Sequence, residues 1–100
     1  MSSTETTIDP KVKKKVKEPS RYKVIMLNDD YTPMEWVQEL LVKVFKHPSD
    51  VSTQITMTVH NEGSAVVGVY TYEIAEHKVI ESIDSSRKRG FPLLLTLEKE

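Results

Sequence analysis

The chain is expected to fold as a small α+β domain, a three-stranded, largely antiparallel sheet with three helices packed on one face. Three observations carry this expectation. Short runs rich in β-branched and aromatic residues, Tyr22–Leu27 and Ala65–Tyr70, and the apolar run Pro92–Leu97 read as strands. Apolar residues three and four apart fill the intervals between them and read as helices. The order strand, helix, helix, strand, helix, strand then favours helices gathered on one side of a sheet.

Residues 1–20 are expected to form a mobile extension ahead of a domain spanning 21–100. Residues 1–21 sum to a charge of +3 and the remainder to −4, within a chain of formal net charge −1. The only large apolar residues of the extension are Met1, Ile8, Val12 and Val16. That is too little burial to offset the entropy of ordering it. Its lysines are interrupted by acids and carry no aromatic to stack on bases, so no nucleic-acid partner is expected.

The first strand ends in the polar run Asn28-Asp29-Asp30. Thr32 is expected to cap the first helix, with Glu35 closing a capping box and Pro33 at the first helical position. Met34, Val37, Leu41, Val44 and Phe45 form its buried stripe, and Pro48 ends it. A second helix should begin near Ser49 or Asp50 with Val51, Ile55 and Val59 on one side. Gly63 suits its exit, because glycine takes positive φ without strain. After the strand Ala65–Tyr70, Thr71 should cap a third helix. Tyr72, Ala75, Val79, Ile80 and Ile83 should face inward, and Glu73, His77, Glu81, Asp84 and Lys88 outward. Arg87, Lys88 and Arg89 then complement the helix dipole, and Gly90 follows as the exit residue. The final strand is apolar on both sides and should be central or covered on both faces.

Composition narrows the function. One hundred residues make one domain. The absence of cysteine excludes a disulfide scaffold, a thiol nucleophile and Cys-ligated zinc. No apolar run nears the ~20 residues that span a bilayer, so no membrane partner is expected. Met1–Thr7 lacks the character of a secretion signal, and a cytoplasmic location is expected. There is no phosphate loop and no nucleophile elbow, and His47, His60 and His77 fall on different elements. A catalytic site would have to rest on Asp29, Asp30 and His60. Asn28-Asp-Asp-Tyr-Thr-Pro33 reads instead as turn chemistry leading into a helix. The residues therefore point to a binding domain with no metal, no cofactor and no catalytic residue.

The segment Tyr22-Lys-Val-Ile-Met-Leu-Asn-Asp-Asp-Tyr-Thr-Pro-Met-Glu-Trp-Val37 resembles the most characteristic stretch of the ClpS family, the N-end rule adaptors of the Clp protease. The resemblance continues through Val59-His60, Gly68–Glu73, Ala75–Lys78 and Pro92–Lys99. It implies a non-enzymatic adaptor that captures proteins with an N-terminal Leu, Phe, Tyr or Trp and delivers them to a Clp AAA+ unfoldase, of the ClpA or ClpC type. It assigns the α-amino group to Asn28 and His60 with Asp29 beside them, and the following backbone to Asp30 and Thr32. An ammonium offers only donors, so acceptors and a nearby carboxylate suit it. A protonated histidine would have no lone pair to give, and binding should weaken in acid.

By the same resemblance Met34, Val37, Val59 and Leu93 enclose the hydrophobic side chain, with Met34 as a gate. Thr56 stands where many relatives have methionine, which should leave the pocket roomier and slightly more polar. Glu73, Glu76 and Lys78 match the region that docks on the unfoldase N-terminal domain. In the family the extension is needed for handover, and its sequence here is not well matched to relatives, which suits a role set by length. The adaptor is expected to be a monomer. The alternatives are a protein-interaction domain of similar fold without amine recognition, a basic-tailed nucleic-acid binder and a small hydrolase.

Overall fold

In a computed structural model, residues 19–100 are described, so the extension expected over 1–20 lies outside them except for Pro19 and Ser20. The elements run β1 (Arg21–Leu27), α1 (Met34–Lys43), α2 (Ser49–Glu62), β2 (Ser64–Thr71), α3 (Tyr72–Lys88) and β3 (Leu94–Lys99). The three strands form one sheet in the order β2-β1-β3, antiparallel at both pairings. Val24 and Met26 are fully buried on the face covered by the three helices, and Leu95 pairs beside Met26 on that face. Val66 and Thr96, both opposite Ile25, are exposed on the other.

This architecture matches the expected class, with one strand displaced. β3 is an edge strand, and the central position belongs to β1. Leu94 remains 49% exposed, so the leucine run is not covered on both faces. Pairing starts at Leu94, opposite Leu27. Pro92 has no N–H to give a ladder, and Leu93 is buried ahead of the strand.

The first helix begins one residue later than expected, at Met34, and Thr32 is not its cap. Pro33 occupies the cap position with extended dihedrals and no side-chain cap bond. The Thr32 hydroxyl instead donates to Asp29 Oδ2 at 2.7 Å. The carboxylate is a strong, charged acceptor for that proton, and the Thr32 amide also donates to it, so Thr32 belongs to the Asp29 turn and lies one residue ahead of the cap position. The buried residues of α1 are Trp36, Val37, Leu40 and Leu41, followed by Val44 and Phe45, whereas Met34 stays 38% exposed.

The inward faces of the other helices are more polar than their apolar spacing implied. Ser52, Thr56 and Val59 form the buried ridge of α2, and Val51 and Ile55 are only half-buried. On α3, Tyr72 and Ile80 are exposed, while Ala75, Ser82 and Ser86 are buried. Small side chains let a helix come close to a sheet, and serine supplies them here. Trp36 Nε1 donates to Ser86 Oγ at 2.8 Å, and that hydroxyl donates to the Ser82 carbonyl at 2.7 Å. Gly63 and Gly90 take positive φ at the two helix exits, as expected.

A bulge at Val67 shifts the β1–β2 register between Val24 and Ile25. His47, after α1, donates from Nε2 to the Val67 carbonyl at 2.6 Å and so ties the helical layer to the bulge. Beside it Tyr70 folds back over Gly68, against Phe45, with Lys78 Nζ 5.3 Å above its ring. A Cβ at Gly68 would collide with the Tyr70 ring and hydroxyl. Gly68→Ala is therefore expected to destabilise the domain by about 1–3 kcal/mol, the usual cost of overpacking. In a thermal melt each kcal/mol corresponds to roughly 4–8 °C for a domain of this size.

Candidate functional site

β1 ends between two other segments of chain. Leu27 pairs with Ser64 on one side and Leu94 on the other, and the Asn28 amide donates to the Gly63 carbonyl at 2.9 Å. This brings the exit of α2 and the approach to β3 against the turn that follows β1. Between them lies a cavity of about 190 Å³. Its lining comprises Leu27, Asn28, Asp29, Asp30, Thr32, Met34, Val37, Thr56, Val59, His60 and Leu93. All ten residues expected for the amine, backbone and side-chain sites thus meet in one place, and Leu27 is an addition. The last residue of a strand gives no signal in sequence that it turns toward a cavity.

The cavity has two chemically different ends. Val37, Thr56, Val59 and Leu93 are buried and form a largely apolar floor, with the part-exposed Met34 at the rim. Asn28, Asp30 and His60 are exposed, and Asp29 and Thr32 half-buried, at the polar end. The Thr56 hydroxyl donates to the Ser52 carbonyl at 2.8 Å, one turn back on its own helix. Its proton is thereby committed, and the site is less polar than a free hydroxyl would make it.

Asp29 organises the turn. Its Oδ1 accepts from the amides of Tyr31 at 2.8 Å and Thr32 at 2.7 Å, and its Oδ2 from the Thr32 hydroxyl. Partial burial alone would push this carboxyl up. The Thr32 hydroxyl, the two amides and the Arg87 charge outweigh it and hold the carboxyl below its ordinary value. Asp29 therefore stays ionised, a fixed negative charge beside Asn28, with most of its lone pairs already engaged. Among the described residues no group of three or more His, Cys, Asp or Glu could hold a metal ion.

Glu73, Glu76 and Lys78 lie apart from this cavity, on α3. Glu73 and Glu76 are exposed, and Glu76 accepts from the Tyr72 hydroxyl at 3.1 Å. Lys78 is built into the fold: Nζ donates to the Val44 carbonyl at 2.7 Å, just beyond α1. A shallow groove lined by Pro19, Ser20, Tyr22, Thr71, Tyr72 and Glu73 joins the start of α3 to the point where the described chain begins.

Comparison with known proteins decides the family. The model of the family described as ATP-dependent Clp protease adaptor protein ClpS matches residues 17–96. The chain belongs to the ClpS family. An adapter protein ClpS of Rhodospirillum centenum is 48% identical over 95 residues, covering 95% of this chain and 88% of that one. The Escherichia fergusonii ClpS is 48% identical over 91 residues, covering 91% and 86%. The solved structure of Agrobacterium tumefaciens ClpS2 bound to L-phenylalaninamide is similar with a TM-score of 0.80 and 47% identity, covering 83% of this chain and 100% of that one. These relatives are named as adaptors of a protease, not as proteases. No helix among the described residues is long and apolar enough to cross a membrane.

The ClpS-type turn should show a definite response to pH. The folded carboxyl of Asp29 titrates below its unfolded value of about 3.9. Its contribution to stability is therefore complete above that value and is lost as pH falls through the folded pKa. Thr32→Val removes the hydroxyl donor and is expected to raise the Asp29 pKa toward the ordinary carboxylate value in an NMR titration. An unchanged pKa would assign the shift to the amides and Arg87 alone.

Proposed function

We propose that the cavity binds the free α-amino group and the large hydrophobic side chain, Leu, Phe, Tyr or Trp, of a protein N-terminus, and that the chain delivers that protein to a Clp AAA+ unfoldase for degradation. The observation that carries this reading is the meeting of Asn28, Asp30 and His60 with the floor of Val37, Thr56, Val59 and Leu93 in one small cavity. Its 190 Å³ suits one side chain, since about 150 Å³ accommodates a benzene ring. A relative of 47% identity binds L-phenylalaninamide, a molecule with a free α-amine and a phenyl ring.

In this reading Asn28 and His60 accept from the ammonium, and Asp29 supplies charge from its place in the turn. Asp30 and Thr32 hold the peptide backbone beyond it. Met34 closes over the side chain, and its unbranched thioether adapts to rings and to leucine alike. Burial of one such side chain contributes ~1.5–3 kcal/mol. A few hydrogen bonds to a charged group, roughly 1.5–3 kcal/mol each, bring micromolar affinity within reach. The role requires no catalytic residue, cofactor or metal.

Delivery is assigned to the opposite part of the domain. Glu73 and Glu76 face the N-terminal domain of a ClpA- or ClpC-type unfoldase, and Lys78 shapes the same helix by anchoring it to α1. The groove beside Glu73 leads to residue 19, so an extension starting there would enter the unfoldase next to the docking surface. The adaptor acts as a monomer in the cytoplasm and needs neither nucleic acid nor a membrane.

A fluorescent peptide beginning with Phe should bind as the free amine and not when N-acetylated, and equal binding of the two would overturn the reading. Asn28→Ala is expected to weaken the free-amine complex at least about tenfold, the loss of one charge-assisted hydrogen bond. Thr56→Met, which refills the floor, should penalise Trp and Tyr peptides more than Leu. An unchanged ranking would show that residue 56 does not set the size of the pocket.

A further inference from the structure

Arg87 was expected only to complement the α3 dipole, and the structure gives it a specific task. Its Nη1 donates to the carbonyls of Phe91 at 2.8 Å and Leu93 at 3.0 Å. These belong to the short connection between α3 and β3. The start of that connection is held by the amides of Gly90 and Phe91, which donate to the Arg87 and Ser86 carbonyls. Its end is held by the pairing of Leu94 with Leu27. Pro92 between them has no N–H to anchor, so the Arg87 side chain spans the gap. Leu93, whose carbonyl it grips, is 1% exposed and forms part of the cavity floor.

The neighbouring cations do something else. The Arg89 guanidinium stacks 4.7 Å from the Trp36 ring centroid, and Lys88 is exposed. One planar guanidinium nitrogen can serve two carbonyls at once, a geometry for which arginine is better pre-organised than lysine.

We propose that Arg87 is a positioning residue for side-chain recognition, clamping Leu93 so that the floor of the cavity is formed before a ligand arrives. This rests on the reading of the cavity as the seat of an N-terminal side chain. A preformed floor lowers the ordering cost of binding. Removal of the clamp should therefore act on affinity more than on global stability, since Arg87 is an exposed residue outside the core.

The test compares Arg87→Gln with Lys88→Gln, which removes the same charge from the same turn without touching the connection. In the ligand-free protein, Arg87→Gln should speed hydrogen exchange at the Leu93 amide and shift the Leu93 methyl signals, whereas Lys88→Gln should leave both as in the wild type. Affinity for the free-amine Phe peptide should fall about fivefold or more in Arg87→Gln, the scale of one net hydrogen bond, and less than twofold in Lys88→Gln. Arg87→Lys should recover part of the loss. Unchanged Leu93 signals in Arg87→Gln would overturn the clamp, as would equal losses of affinity in the two glutamine variants. If the wild-type chain does not bind the peptide, the assignment of the cavity falls, and the ligand-free Leu93 signals still decide whether the clamp exists.

Discussion

The site depends on one constraint, the burial and double pairing of β1. Val24 and Met26 are fully buried, and the strand is hydrogen-bonded along both edges, so it cannot slip without turning its core residues to solvent. The place where β1 ends is consequently set by the core. The pairing of Leu27 with Ser64 and Leu94 carries that position outward to the exit of α2 and the approach to β3. Asn28, His60 and Leu93, far apart in sequence, meet because the same strand end holds all three segments.

Within the turn, charge and structure share one group. The Asp29 carboxylate accepts three hydrogen bonds from Tyr31 and Thr32 and keeps its negative charge in doing so. A neutral turn-forming residue could organise the backbone, but it would not place an anion beside Asn28. The same residue thus aims the chain into α1 and sets the electrostatic character of the cavity's polar end.

The sequence was legible where local chemistry and tertiary demand agree. The helix exits at Gly63 and Gly90 and the strand β1 could be read directly, because positive φ and a short run rich in β-branched and aromatic residues have few other uses. Thr32 misled because the Asp29 carboxylate takes both its amide and its hydroxyl into the preceding turn, and a carboxylate three residues upstream is not part of the capping pattern. The inward faces of α2 and α3 misled because their buried residues are Ser52, Thr56, Ser82 and Ser86. Hydrophobic periodicity cannot register a ridge chosen for small size. β3 misled in the opposite sense: its leucines promised a central strand, but Leu93 is drawn into the cavity and Leu94 faces water. The ten cavity residues were named through a family resemblance. Of these, spacing alone would have offered the core stripe, without the meeting of Asn28 with His60 or the clamp by Arg87.

On the proposed reading, the small size of the cavity is what makes it selective. One buried side chain contributes ~1.5–3 kcal/mol, and association costs at least ~4 kcal/mol in lost translation and rotation. The apolar floor alone therefore cannot retain an internal leucine or phenylalanine of an unfolded chain. The polar end alone is equally weak, because a free α-amine beside a small side chain leaves the floor unfilled. Only a chain terminus that brings both groups in adjacent positions satisfies both ends at once. The distance between them is set by the covalent geometry of a single residue. A rigid cavity, with its floor and turn held from separate elements, measures that distance better than a deformable one could.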